Sequence, residues 1–150
     1  MTLDLWLTNG WLRRHETSAS EIAELLAVAE RNLADAAIEL LSPDARVGLA
    51  YAASLASASA ALAATGYRPE RERHHERLID SLAHTIGADS RMVGRLHRQR
   101  KARNTMTYER VGTVSEAESW EALELALALT EAVRTWLKAH YSALLAEAGE

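Results

Sequence analysis

Residues 43–66, PDARVGLAYAASLASASAALAATG, decide the fold of this chain. More than half of this stretch is alanine or serine, and alanine has the highest intrinsic helix propensity. Pro43 suits the first turn of a helix and Gly66 suits the position just after its end. We therefore predict a helix from about residue 44 to 65. Its small side chains let neighbouring helices approach closely, which is typical of a central helix.

Helical patterns continue on both sides of this stretch. Apolar residues recur with a period near 3.6, and the pairs Ser18/Glu21 and Ser115/Glu118 have the spacing of capping boxes. The further helices predicted are 18–41, 71–86, 90–108 and 115–146. The sequence thus predicts an all-α fold, an antiparallel bundle of four to five long helices. Residues 1–17 are expected to form a short helix or arm, and 18–150 the bundle.

Composition excludes several classes of protein. The chain has 150 residues, 48% of them hydrophobic and 25% charged, as expected for one soluble domain. It contains no cysteine, which excludes disulfides, thiolate metal sites and a cysteine nucleophile. Neither a signal-peptide pattern nor an uninterrupted run of eighteen apolar residues is present. We expect a cytoplasmic protein that does not associate with membranes.

Positive charge is concentrated in one part of the sequence. Residues 68–110 hold eleven Lys and Arg against six Asp and Glu, whereas the rest of the chain holds six against fifteen. Like charges along a helix repel one another, so an anionic partner is the first explanation for such a run. The predicted nucleic-acid-binding residues from this run are Arg95, Arg98, Arg100 and Lys101.

One face of the fourth predicted helix combines groups that suit a phosphodiester. The spacing i, i+3, i+4, i+7 and i+8 places five of its residues on one side of a helix: Arg100, Arg103, Asn104, Thr107 and Tyr108. Arginine grips phosphate with two parallel hydrogen bonds, and the asparagine amide both donates and accepts. The alternative is a solvated basic face that pairs with acidic residues elsewhere.

The run Arg103-Asn104-Thr105-Met106-Thr107-Tyr108, near the end of a basic penultimate helix, resembles the motif of the HEPN superfamily. That motif is Arg, four to six variable residues and then His, with Asn often directly after the Arg; some branches carry Tyr in place of the His. The stretch from Gly66-Tyr67-Arg68 to His74-His75 is also similar to the segment that precedes this helix in such proteins. The resemblance covers roughly residues 20–145.

The resemblance implies a bundle that often forms a homodimer and cleaves RNA without a metal or cofactor. Many such proteins are toxins or defence effectors, some paired with a nucleotidyltransferase antitoxin. By the same resemblance Arg103 is the phosphate clamp, Asn104 orients it, and Tyr108 replaces the catalytic histidine. Tyrosine, with an ordinary pKa of about 10, is a poor base at neutral pH.

The histidines near the basic run offer alternative bases. His97 lies about three turns before Tyr108 and is either a substitute base or a surface histidine. His74 and His75 are adjacent, so they do not share a helical face, and a metal site between them is not expected. We expect one of the two to face the Arg103 cleft. His74, His75 and His97 complete the predicted set of nucleic-acid-binding residues.

Two other functions stay open at this point. The first is a HEPN-fold module without catalysis, whose basic face binds a nucleotide, a nucleic acid or a partner protein. The second is a structural helical protein whose Tyr108 is modified by a nucleotidyltransferase.

Overall fold

A computed structural model of the chain describes residues 2–108 and 114–146, with side chains at all of these except 105–108 and 146. This part of the chain forms a mostly helical bundle with one small sheet, which confirms the predicted all-α class. The helices are α1 (Leu3–Thr8), α2 (Ala19–Ala36), α3 (Pro43–Ala64), α4 (His74–Ser81), α5 (Ser90–Tyr108), α6 (Glu116–His140) and α7 (Ser142–Ala146). The two strands are β1 (Leu12–Arg14) and β2 (Tyr67–Pro69).

Helix α3 is the centre of the bundle, as its alanines and serines predict. It packs against α2 and α6 over most of its length and contributes to both hydrophobic clusters of the core. Among the described residues it alone has the length and hydropathy of a membrane span, but 72% of its apolar window is buried inside the bundle. Such burial is typical of the core helix of a globular fold.

Three helix starts follow the sequence closely. The hydroxyls of Ser18, Ser42 and Ser115 each accept a hydrogen bond from the backbone N–H three residues later. Ser115 and Glu118 complete a reciprocal capping box. At Ser18 only half of the predicted box forms, because the Glu21 carboxylate instead binds His15 and Thr17.

Several helix ends differ from the prediction. Helix α2 ends at Ala36 rather than near Leu41, and Leu40 is 99% exposed. Helix α6 ends at His140, where the extended φ of Tyr141 breaks the helix before α7. Helix α4 begins three residues later than expected because Arg73 adopts a left-handed conformation, with φ 55°, and its side chain makes no cap hydrogen bond.

The sheet was not predicted. Strands β1 and β2 pair antiparallel, with Leu12 opposite Pro69 and Arg14 opposite Tyr67. Gly66, with φ 94°, reverses the chain after α3 and so delivers β2 to this position. Strands of three residues are too short to show an alternating pattern in the sequence, so the pairing had no local indication.

One charged side chain is part of the core. Arg46, on the first turn of α3, is 0% exposed and its guanidinium stacks 3.8 Å from the centre of the Trp120 ring. It donates hydrogen bonds to the carbonyl oxygens of Ala36, Ile38 and Glu39 and to the side chains of Glu116 and Ser119. Arg46 therefore satisfies carbonyls left open at the end of α2 and ties them to the start of α6.

Candidate functional site

Helix α5 presents its basic residues on two different sides. His97, Arg100 and Asn104 lie toward α4, whereas Arg95 and Arg98 line a groove toward α6 with Glu118 and Glu121. Lys101 is exposed. The 3.6-residue period of the helix explains this division, since residues three or four apart share a face and the two sets are offset. The predicted nucleic-acid-binding residues therefore do not form a single surface.

The side toward α4 contains a cavity that we call the α4–α5 cleft. It has a volume of about 270 Å³ and is lined by Arg73, His74, His75, Glu76, Arg100 and Asn104. The left-handed turn at Arg73 begins α4 directly at this cavity, so the first turn of the helix borders it. The N-terminal turn of a helix carries backbone N–H groups without intrahelical partners and favours anions.

Arg100 is held at the cleft by two side chains. Its Nε donates to Nδ1 of His97 at 3.3 Å, and its Nη1 lies 3.5 Å from Oε1 of Glu76. Nε2 of His97 lies 2.7 Å from Oδ1 of Asp80, so a neutral His97 that accepts at Nδ1 donates to Asp80 at Nε2. A guanidinium has five N–H donors, and these contacts use two of them. In the described part of the chain no other contact engages the remaining donors of Arg100, so they are available to a ligand.

Arg103 lies against α3. Its Nε is 3.5 Å from the position that a Cβ atom on Gly48 would occupy, so this glycine gives the guanidinium room beside the central helix. The charge of Arg103 acts on both Tyr51 of α3 and His75 of α4. Arg103 thus contributes positive potential to the inner side of the cleft, next to Arg100.

Tyr51 places a hydroxyl group beneath these charges. The side chain is 5% exposed, and its ring packs edge-to-face on the ring of His75 with 5.8 Å between centroids. Its Oη is buried and has no hydrogen-bond partner among the residues that the structure describes. Burial raises the pKa of Tyr51 to about 12, although Arg100 and Arg103 oppose this shift. The phenol therefore keeps its proton at neutral pH and has a donor to offer.

The surroundings of His75 in the cleft change the pKa of its imidazole ring. The residue is exposed at the mouth of the cleft, yet its ring contacts both Tyr51 and His74. Partial desolvation lowers the pKa of His75, and the nearby charges of His74, Arg100 and Arg103 lower it further. The ring is consequently neutral at pH 7, the form that accepts a proton.

The predicted site residues are thus partly brought together. Arg100, Asn104, His74 and His75 line one cavity, with Arg103 beside it and His97 behind Arg100. Tyr108 is the last residue of α5, but its side chain lies outside the described residues, so its role stays a prediction.

Sequence reasoning missed several residues of the site. Tyr51 stood in an apolar helix and was indistinguishable from a core residue. Glu76 and Asp80 stood in a mixed charged segment where nothing singled them out. The spacing of Glu76 and Asp80, which is i and i+4 on α4, was the one indication that both face the same neighbouring helix. Over the described ranges 2–108 and 114–146, no three His, Asp or Glu side chains are grouped so as to hold a metal ion.

Comparison with known proteins adds no relative. No protein-family model matches the sequence, and no curated protein matches it either.

Proposed function

We propose that this protein is a HEPN-like, RNA-directed protein of the cytoplasm, a metal-independent endoribonuclease or the toxin component of a toxin–antitoxin or defence module. The observation that carries the proposal is the α4–α5 cleft. There Arg100, Asn104 and the start of α4 line a cavity together with the neutral imidazole of His75, and the charge of Arg103 and the protonated phenol of Tyr51 lie next to that imidazole. This combination suits a phosphodiester that is both held and attacked.

Binding of the phosphodiester follows from the donors of the cleft. Arg100 keeps N–H donors that no described residue engages, Asn104 is exposed on the next turn, and the first turn of α4 lies opposite. Charge-assisted hydrogen bonds from guanidinium groups to phosphate oxygens are among the strongest in proteins. Glu76 offsets part of the charge, but it also fixes the direction of Arg100.

Cleavage without a metal needs a base, an acid and stabilisation of the phosphorane. In the proposed reaction neutral His75 takes the proton of the ribose 2′-hydroxyl, and the 2′-oxygen attacks phosphorus. The bond from phosphorus to the 5′-oxygen breaks, leaving a 2′,3′-cyclic phosphate on one product. The departing 5′-oxygen takes a proton from the phenol of Tyr51, while the arginines stabilise the charged intermediate.

A second candidate is a non-catalytic HEPN-fold module that binds a nucleotide, a nucleic acid or a nucleotidyltransferase partner. The salt bridge between Arg100 and Glu76 favours it, because a carboxylate in the cleft opposes accumulation of negative charge in a transition state. A homodimer and an antitoxin partner belong to the same proposal and follow from the family resemblance alone.

The test uses purified protein with tRNA or total RNA in EDTA. We expect wild-type protein to produce fragments that end in 2′,3′-cyclic phosphate, and Arg103→Ala and His75→Ala to lose this activity. Arg31→Ala, an exposed arginine of α2 far along the sequence from the cleft, is the matched control and should cleave like wild type.

The outcomes separate the two candidates. Salt-sensitive RNA binding without cleavage, lost in Arg103→Ala, would replace the enzyme with the binding module. Absence of both cleavage and binding, or cleavage that Arg103→Ala leaves undiminished, would remove the assignment of the cleft.

A further inference from the structure

A second cavity lies on the other side of His74. It has a volume of about 330 Å³ and is formed by α2, α3, β2 and α4. Its walls are mostly apolar, including Leu25, Val28, Leu62 and Leu78. A cavity of this size with apolar walls and a few polar groups at its edge is the usual form of a small-molecule or base-binding site.

His74 connects this cavity with the α4–α5 cleft, because its side chain lines both. The helix α3 runs beneath both as well. Tyr51 lies at the cleft and Ser59 lines the apolar cavity, eight residues further along the helix. At 1.5 Å per residue this is a separation of about 12 Å, which is within the reach of two successive nucleotides. A strand whose phosphate lies in the cleft therefore reaches the apolar cavity with a neighbouring base.

The polar groups at the edge of the cavity indicate which base fits. Glu24 is exposed there, and within the described residues no ion pair or hydrogen bond engages its carboxylate. Glu21, by contrast, is occupied by His15 and Thr17. A carboxylate accepts hydrogen bonds and donates none, so it pairs well with the exocyclic amino group of adenine, cytosine or guanine. The one N–H donor of uracil lies between two carbonyl oxygens, which a carboxylate repels. Arg68 lines the same cavity and supplies donors for the carbonyl or ring nitrogen beside such an amino group.

We propose that this apolar cavity is a base-binding subsite for single-stranded RNA, and that Glu24 makes it prefer bases with an exocyclic amino group over uracil. The apolar walls contact the faces of the base and His74 lies between the base and the bound phosphate. This inference rests on the proposed function, since it takes the phosphate in the α4–α5 cleft as the anchor of the strand.

The experiment measures binding of 5′-fluorescein-labelled, 2′-O-methyl tetranucleotides at low salt by fluorescence anisotropy. The blocked 2′-oxygen prevents cleavage, so binding is read separately from catalysis. The probes are tetra-A, tetra-C, tetra-U and an abasic tetranucleotide. We expect wild-type protein to bind tetra-A and tetra-C about tenfold more tightly than tetra-U, in line with one good base contact.

Glu24→Ala tests the residue assigned to selection. Because position 24 is exposed on a helix, alanine is well tolerated there. We expect this variant to lose the preference for amino-bearing bases while keeping its affinity for tetra-U, and Arg31→Ala to keep both. Equal binding of all four probes by wild-type protein, or a preference that survives in Glu24→Ala, would overturn the subsite and leave the phosphate cleft intact. If none of the probes binds, the abasic one included, the proposed function itself fails.

Discussion

Arg46 and Arg100 are both arginines, but Arg46 is enclosed in the core whereas Arg100 lines a cavity. Arg46 is fully buried, stacked on Trp120, and its three nitrogens donate five hydrogen bonds. Arg100 faces a cavity, where two of its five N–H donors are engaged by His97 and Glu76. The two arginines differ in how many of their N–H donors have a partner among the described residues. Where the fold uses every donor the arginine is structural, and where it fixes the direction of the guanidinium but leaves donors open, a ligand has something to bind.

Substitution of Arg46 is expected to have the largest effect. Arg46→Ala leaves carbonyls at the end of α2 unsatisfied and removes the contacts to Ser119 and Trp120. Leaving a buried acceptor unsatisfied costs about 1 to 3 kcal/mol, so with several acceptors affected we expect a loss of about 3 to 5 kcal/mol in the free energy of unfolding. Urea denaturation followed by circular dichroism measures it. Arg134→Ala, which breaks the exposed pair with Glu30, is the control and should cost less than about 1 kcal/mol. Equal losses in the two variants would refute the structural role of Arg46.

Substitution of Arg100 should weaken RNA binding and leave the free energy of unfolding almost unchanged, unlike substitution of Arg46. Arg100→Ala is expected to weaken RNA binding about tenfold and to lower the slope of the salt dependence by about one, because one phosphate contact is lost. Its unfolding free energy should change by less than about 1 kcal/mol, since the salt bridge to Glu76 is partly exposed. Anisotropy titrations at several salt concentrations measure the first effect. Unchanged RNA affinity would show that the open donors of Arg100 are not used.

Tyr51→Phe removes a single hydroxyl from beneath the cleft. Because Tyr51 Oη has no hydrogen-bond partner within residues 2–104 and 114–145, its removal should leave the free energy of unfolding unchanged or raise it by about 0.5 to 1 kcal/mol. If the phenol donates to the substrate, RNA cleavage should fall at least tenfold in the same variant. Thermal unfolding and single-turnover cleavage, measured side by side, test the pair of effects. A loss of stability with unchanged cleavage would place Tyr51 in the core alone.

The smallest expected effect is on the pH dependence of the free energy of unfolding. The pKa of His75 is lowered from 6.5, so over the interval just below 6.5 the unfolded chain binds more protons at this position than the folded one. The contribution of His75 to stability is therefore fully present above pH 6.5 and declines as the pH falls toward the folded pKa. Proton NMR of the His75 ring should give a midpoint below 6.5, and His75→Gln should flatten the dependence of stability on pH in that interval. A midpoint at or above 6.5 would contradict the environment described for the cleft.

Sequence patterns predicted the fold where short-range rules decide it. The alanines and serines of α3 and the serines before α2, α3 and α6 each act within one or two helical turns, and the structure follows them. The late start of α4 depends on the backbone of Arg73, and the sheet on two segments more than fifty residues apart. Neither the backbone conformation of Arg73 nor the pairing of the two strands produces a periodic pattern in the sequence.

The same distinction holds for the site. Helical spacing placed Arg100 and Asn104 on one face, because that follows from the geometry of α5 alone. It gave no means to find Tyr51, whose place in the candidate site comes from its contact with His75, 24 positions away, and from a hydroxyl without a partner among the described residues. Nor did it separate Arg46, a single basic residue in an apolar helix, from the arginines of the basic run.

The small sheet has a consequence for how far the amino-terminal end can be shortened. Beyond the pairing of β1 with β2, the N–H of Glu70 donates to the carbonyl of Trp11, Arg77 stacks 3.8 Å from the centre of the Trp11 ring, and Tyr67 donates to Asp4. These contacts brace the few residues that lead into α4. A chain trimmed of its first fourteen residues would retain every side chain of the cleft. The segment that precedes His74 and His75 would, however, lose its contacts with β1, Trp11 and Asp4. Truncated versions are therefore poor material for measuring what the intact protein does.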